Sequence, residues 1–576
     1  MKVLSHGMPF FRTPLLLNLS GARHEVRTIR ADEGADYIYD PATESLDDIL
    51  ARIGKEWTPD LLLFWFPEND PPPFGVENSP IPTVAMAGDW NLFYPALHVN
   101  LSRYDHVLCD KGAVEIFQSD LVSPTHLFPL YAQHPEVHKK LDVPKGIDVF
   151  FAGSMNFARY PERGRVLEKL ARLGGKYNVI IVDNVFGAGY NQLLNRSRIV
   201  FNHSVRRELN LRTFETIAAG SLPFVESSNL EVRDWFTDGE DIVLYDEDNF
   251  DDVIAYYLAH PEKGEEIAAR AHERMEEFSP QTRIEQLIDW ASARGAGPRK
   301  FRDLPEEEQT LQTTVMYNAS ENPVYRSVDK IQLRQIVRVA PNCPRAWSCV
   351  GKILLGEQIG VPTPSQIEAG LKALKRAATL SPDSAPAMFN IASVYANIGE
   401  DELAAEYHQK TIERDGEDLG PSLLGWIHAP REWWSHCRTW NASLLAMARR
   451  KPFIHILHAE AHIQLARRAV RLGRYDEALK SLDRAENLDH CNFLRILVKS
   501  EALNSLERNA EAAQTLWEGR EAFQLDLKFR ENLIAALEQA GGNATMLEQY
   551  RQETMVMSNV LHSSALVAKA ANDLPF

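Results

Sequence analysis

Short, largely apolar runs, separated by stretches of helical period, constrain this chain most. Leu61–Phe66, Ile81–Ala87, His106–Cys109, Val149–Ala152, Val179–Val182, Ile199–Asn202, Leu222–Val225 and Ile242–Tyr245 all have this character. A strand with one wet face alternates apolar and polar residues. A strand apolar on both faces is buried between layers, as in a parallel sheet covered by helices on either side. Strand alternating with helix is the doubly wound α/β pattern. The segment Val137–Ile147 is polar, carries a Pro and a Gly, and precedes a fresh strand, so a domain joint is expected there. Two Rossmann-like domains are therefore expected, over residues 1–140 and 147–291.

Residues 292–318 mix Gly, Pro and both charges with little periodicity, the signature of a linker. Beyond them only amphipathic helices are predicted, and they repeat. Ala478 follows the turn Leu472-Gly473-Arg474-Tyr475, and Ala512 stands 34 positions later. Ala377, Leu380 and Pro382 stand the same 34 residues ahead of Thr411, Arg414 and Gly416. This spacing resembles the tetratricopeptide repeat, in which small residues let two helices approach and each hairpin needs a neighbour to bury its apolar face. An all-α, tetratricopeptide-like solenoid is expected over 320–555, with units near 347–382, 385–416, 459–490 and 493–524. Trp426, Trp433, Trp434 and Trp440, in the divergent stretch between units, are read as core or inter-repeat packing residues, the alternative being an aromatic surface that grips a partner.

Composition narrows the function classes. Of 576 residues, 62 are Lys or Arg and 80 are Asp or Glu, a formal net charge of −18, which argues against general nucleic-acid binding. Five scattered cysteines without a C-x-x-C pair suggest neither a disulfide framework nor a zinc cluster, and point to a reducing, cytoplasmic compartment. No apolar stretch approaches the roughly 20 residues of a membrane span.

The run from Ile199 to Glu226 carries the chemistry. It reads as strand, loop, helix, turn, strand, with the helix starting near Arg212 and stopping at Gly220. Glu215 then lies just beyond the carboxyl end of a strand, where open α/β sheets bind ligands. A carboxylate there can accept hydrogen bonds from two neighbouring sugar hydroxyls, and Arg212 can meet a phosphate or pair with the acid. An acid early in a helix also has a plain reading, as a partner of the helix dipole.

Leu211, Arg212, Phe214, Glu215, Ala218 and Gly220 together resemble the Leu-Arg-x-Phe-Glu-x-x-Ala-x-Gly signature of CgeB-like GT-B glycosyltransferases, over about residues 147–290. The resemblance implies a metal-independent hexosyl- or N-acetylhexosaminyl-transferase without a cofactor, using a nucleoside-diphosphate sugar, with a UDP-sugar the expected donor. It implies that Glu215 contacts the donor's ribose, flanked by Arg212, Thr213 and Phe214. It also implies that Gly153 and Ser154 lie under the diphosphate, that Arg159, or failing it Arg163 or Arg165, neutralises the leaving group, and that Tyr190 and Asn195 line the base pocket. Asp89 and His6, in loops after strands of the first domain, are the candidate catalytic bases. Arg207, not an acid, stands eight residues before Glu215, with Glu208 one place off, so the Glu-x7-Glu spacing of many retaining enzymes is missing and the anomeric outcome stays open.

The architecture is similar to that of bacterial protein O-glycosyltransferases acting on flagellin or other surface proteins. That similarity implies a protein or peptide acceptor recruited by the repeats. Two alternatives are a glycan or lipid-linked acceptor, with the repeats mediating homo-oligomerisation, and a non-catalytic interaction protein with a relic transferase domain.

Overall fold

A computed structural model of the chain describes residues 1–7, 23–54, 57–119, 124–128, 136–155, 161–319, 323–355, 362–414, 453–488, 493–523 and 525–573. Arg159 and the four tryptophans between 426 and 440 lie outside the described residues. The residues cluster as two compact units. One comprises 1–109, 113–128 and 288–506, and the other 110–112, 129–287 and 507–576.

In the first unit, seven strands form one sheet. They are β1 (Lys2–His6), β2 (Glu25–Arg30), β3 (Tyr37–Ile38), β4 (Leu61–Trp65), β5 (Thr83–Met86), β6 (His106–Cys109) and β7 (Thr125–Leu127). Their order is β3-β2-β1-β4-β5-β6-β7 and every pairing is parallel. β4 to β6 are buried at every position, as their largely apolar runs require. β2, β3 and β7, toward the sheet's edges, are shorter or more polar and lack that signature. Helices α1 (Leu46–Ile53), α2 (Trp90–Asn100) and α3 (Lys111–Ser119) contribute Leu46, Ile49, Tyr94, Leu97 and Phe117 to the core over Leu4, Phe64 and Val107.

In the second unit, β8 (Ile147–Ala152), β9 (Val179–Val182), β10 (Ser197–Phe201), β11 (Leu222–Glu226) and β12 (Val243–Tyr245) form a second parallel sheet, in the order β12-β11-β10-β8-β9. Helices α4 (Pro161–Arg172), α5 (Gly187–Arg196) and α6 (Leu211–Ala218) connect its strands. Strand order reverses between β8 and β10, and the crevice outside their carboxyl ends is the ligand-binding position of such a sheet.

The rest is helical, and it is knit into both units. Residues 292–318, expected as a linker, are docked on the first sheet's unit. Arg299 is buried, the guanidinium of Arg103 lies 3.5 Å from the Phe301 ring centroid, and Tyr317 donates its hydroxyl to the Pro72 carbonyl at 2.7 Å. Helix Glu306–Ala319 joins Leu311 and Val315 to Val99 of α2 in one apolar cluster. Antiparallel helix pairs come next in the chain, Pro344–Leu355 with Pro364–Leu380, Ala385–Asn397 with Asp401–Ile412, and Phe453–Arg471 with Tyr475–Leu488. Gly351 and Gly370 let the first pair close, since a Cβ on Gly370 would lie 2.5 Å from Leu355 Cγ. Ala377, Thr411, Ala478 and Ala512, the residues that carry the 34-residue period, are all buried.

A repeat domain is expected over residues 320–555. Instead, residues 507–576 cluster with the second sheet. Arg530 and the long helix Ala544–Asn572 reach the surface of α4 and β9, where Arg530 pairs with Glu168 at 2.9 Å. Among the described residues no helix is long and apolar enough to cross a membrane.

Candidate functional site

The reversal point of the second sheet gathers several of the candidate residues. β8 is followed by Gly153-Ser154 and β10 by Asn202. Asn210 precedes α6 in extended conformation, so the chain enters that helix from the carboxyl edge of the sheet and brings Arg212 and Glu215 there. Arg212 Nη1 donates to Asn202 Oδ1 at 2.6 Å, and its guanidinium lies 4.8 Å from the Phe151 ring centroid. A Cβ on residue 153 would overlap Arg212 Nη2, so the glycine makes room for the cation at the end of β8. Arg212 Nε is buried with no hydrogen-bond partner. An arginine placed this way has donor capacity left for an anion.

Glu215 follows one turn later and its side chain is 13% exposed. Tyr190 donates its hydroxyl to Oε2 at 2.9 Å, and His138 Nε2 stands 3.7 Å from Oε1. Burial, reinforced by the Glu215 charge, holds the Tyr190 hydroxyl well above its ordinary pKa, so it remains a donor. The tyrosine therefore orients the carboxylate instead of standing apart from it. His138 belongs to the polar segment read as a domain joint, and nothing in its sequence setting marked it.

The other candidates have different partners. Thr213 Oγ1 accepts from Asn202 Nδ2 at 3.4 Å, and Phe214 packs against Phe236 and Phe278 in the core. Asn195 spends its amide on the segment before β8, donating to the Lys139 carbonyl at 2.9 Å and accepting from the Leu141 N–H at 2.7 Å. The Ser154 carbonyl accepts from Arg163, which also donates twice to the His203 carbonyl, at 3.2 and 3.0 Å. Arg165 forms a surface pair with Glu247.

Two buried carboxylates carry no mark in the sequence. Glu226, at the end of β11, accepts from the Ser204 N–H at 3.0 Å and from the Ser204 hydroxyl, bracing the loop that leads to α6. Burial pushes its pKa up to about 7. In the first unit Glu68, after β4, accepts from the N–H groups of Gly88 at 2.9 Å and Asp89 at 3.1 Å, and burial pushes it up to about 7 as well. Both close local turns through hydrogen bonds from residues distant in sequence. Asp89 caps α2 without a side-chain bond to that helix's N–H groups and is half-buried. His6, at the end of β1, is 1% exposed. Its Nε2 lies 2.8 Å from the Tyr39 hydroxyl, and burial, with Arg30 nearby, lowers its pKa to about 3. The imidazole is therefore neutral across the physiological range.

Two parallel Rossmann-like sheets with a helical region, and an arginine and a carboxylate at the switch point of the second, define a doubly wound α/β chain with a polar crevice where such sheets bind ligands. Residues 136–289 match the family model described as glycosyl transferase-like, which covers the second sheet and its site. No curated protein matches the chain.

Among solved structures, the chain is similar to sucrose-phosphate synthase from Thermosynechococcus elongatus, at 11% identity and a TM-score of 0.36, over 51% of this chain and 99% of that one. It is also similar to Anabaena Alr3699/HepE in complex with UDP-glucose, at 13% identity and a TM-score of 0.36, over 51% and 100%. A third is WaaG, a glycosyltransferase involved in lipopolysaccharide biosynthesis, at 11% identity and a TM-score of 0.35, over 51% and 100%. With overlap this low, the fold is read from the sheets themselves.

Proposed function

We propose that the protein is a glycosyltransferase that moves a sugar from a nucleoside diphosphate to an acceptor hydroxyl, with a UDP-sugar as first-choice donor. The observation that carries this reading is the placing of Arg212, Asn202 and Gly153 at the switch point, with the Tyr190–Glu215 pair one turn away, inside the segment that matches the glycosyl transferase-like family. Glu215 accepts hydrogen bonds from the donor's ribose hydroxyls. Arg212 turns toward the diphosphate and stabilises the charge that grows as the bond from the sugar's anomeric carbon to the diphosphate oxygen breaks. The acceptor oxygen bonds to that carbon, and its proton passes to a base. Asp89 is our choice for the base, since His6 is buried and bonded to Tyr39. The nucleoside diphosphate leaves with the bonding pair.

The test is binding and turnover across UDP-, GDP- and CMP-sugars. Glu215→Ala should weaken donor binding by about 1–3 kcal/mol, the scale of a hydrogen bond to a charged group, while the protein stays folded. Donor binding that is unchanged in that variant would leave a relic domain as the better account.

The acceptor we propose is a protein bound by the helical pairs, whose stacking offers an extended surface. A glycan acceptor is the second reading. The observation favouring it is that helix Ala385–Asn397 is buried at every position from Ala385 to Tyr395, so it presents no free face for a peptide. Mass spectrometry of donor-dependent products on proteins and on free glycans separates the two.

A further inference from the structure

The long helix Ala544–Asn572 lies outside the segment that matches the transferase family, yet it is built into the second sheet. β9 is an edge strand, and the N–H of Ile181 donates to Ser564 Oγ at 2.8 Å, so the helix covers that edge. Midway along the helix Val560 sits against Gly174, where a Cβ would overlap it. At the helix's carboxyl end the Ala571 carbonyl occupies the space of a Cβ on Gly189, the residue before Tyr190. Ala571 shares one buried cluster with Val182, Val185 and Tyr190. Asn572 Nδ2 donates to the carbonyl of Asn184 at 3.1 Å, in a turn whose backbone takes φ +55° at Asn184 and +61° at Gly187. That turn adjoins the end of β8, because the Met155 N–H donates to Asp183 Oδ2 at 3.2 Å.

The end of this helix therefore touches both sides of the candidate site. Through Asn184 it holds the turn beside Gly153–Met155. Through Gly189 it holds the start of α5, and with it the tyrosine bonded to Glu215. We infer that Ala571 and Asn572 are positioning residues for the donor site, and that the helix ending in them is part of the donor-binding domain. This inference rests on the proposed donor site. The close contact at Gly189 leaves no slack, so a shift of the helix end must move Tyr190 or break the packing.

The test uses full-length protein, with UDP as probe by calorimetry and a melting curve for each variant. Asn572→Ala should weaken UDP binding by about threefold to tenfold, the effect of one hydrogen bond, with the melting temperature within about 2 °C of the unmutated chain. Gly189→Ala, which drives α5 off the helix end, should weaken it by more than about tenfold. Val560→Ala, midway along the same helix, should lower the melting temperature and leave UDP affinity within about twofold.

If Asn572→Ala and Gly189→Ala bind UDP as tightly as the unmutated protein, the helix is only a cover for β9 and the inference fails. If Val560→Ala weakens UDP as much as Asn572→Ala does, the effect is general loosening, and the inference fails again. If the unmutated protein binds neither UDP nor any other nucleoside diphosphate, the donor reading itself falls and takes the inference with it.

Discussion

Replacing Arg299 by alanine tests how firmly the segment after the second sheet is built into the first unit. One guanidinium donates Nε and Nη2 to the two oxygens of Asp105, at 2.9 and 2.6 Å. It also donates to the carbonyls of Val76, Glu77, Ser79 and Ile81, at 3.2, 3.1, 2.7 and 3.0 Å. The two side chains are 2% and 1% exposed. Burial alone would raise the Asp105 pKa, but the Arg299 bonds and the Thr83 and Gly297 amides outweigh it, so the carboxyl lies below its ordinary value.

Removing the cation leaves that charge buried and uncompensated, which costs about 3–5 kcal/mol, a large part of a stability of about 5–15. Water entering the space left by the side chain can satisfy the four carbonyls, so their loss is not added. Lysine cannot reproduce the fork and should recover little. Arg338, whose pair with Glu306 is solvent-exposed, is the control, with an expected loss below about 1 kcal/mol. Urea unfolding at pH 7, followed by tryptophan fluorescence, reads the midpoint of the transition that includes the first unit. Limited proteolysis should show new cleavage between residues 292 and 304. A loss below about 1 kcal/mol for Arg299→Ala, or equal effects at Arg299 and Arg338, would refute the reasoning.

The same geometry carries three more expectations. Glu226 has a folded pKa of about 7 against 4.5 in the unfolded chain, so the native state keeps a proton that the unfolded chain has released. Stability then falls as pH rises from about 4.5 to 7, by about 3 kcal/mol in all, and Glu226→Gln should remove that slope in melting curves against pH; a slope unchanged in the variant would count against the buried carboxyl. His203 runs the other way. Burial and the nearby arginines Arg163, Arg165 and Arg212 lower its pKa to about 3, so its stabilising share is present above pH 6.5 and drains away as pH falls toward 3, and His203→Gln should flatten the acid limb. Glu68→Ala, by releasing the Gly88 and Asp89 amides, should lower kcat with little change in donor KM, because Asp89 is moved and the donor site is not; an equal loss in both would place Glu68 elsewhere in the mechanism.

Much of the candidate site was legible because it rests on local spacing. Arg212 and Glu215, three residues apart, had to fall on adjoining turns of one helix at a strand's carboxyl end, and they do. Phe214 was legible as apolar but not as to which way it faces. Its place in the core with Phe236 and Phe278 was decided by the helix packing against the segment after Ala271. Tyr190 was picked out, but its work of holding Glu215 depends on how α5 lies beside α6, which no run of residues states. His138 and Glu68 are single polar residues in loops and Glu226 is the one acid closing an apolar strand, and none of these settings gave a sign of its partners.

The layered α/β plan follows from the local pattern of residues, because strands apolar on both faces that alternate with helical stretches are best buried in a parallel sheet with helices on either side. The local pattern also determined the helical character of the chain beyond the second sheet, because a period near 3.6 with small residues at fixed intervals suits paired helices and no strand. Where those helices belong is set by long-range packing. Residues 297–303 lock into the first unit through Arg299, and residues 544–572 lock onto the edge of the second sheet. Both choices turn on which surfaces meet across hundreds of residues, on a carbonyl ring that fits a guanidinium and on two glycines that let a helix come close, and such complementarity exists only once the chain has folded.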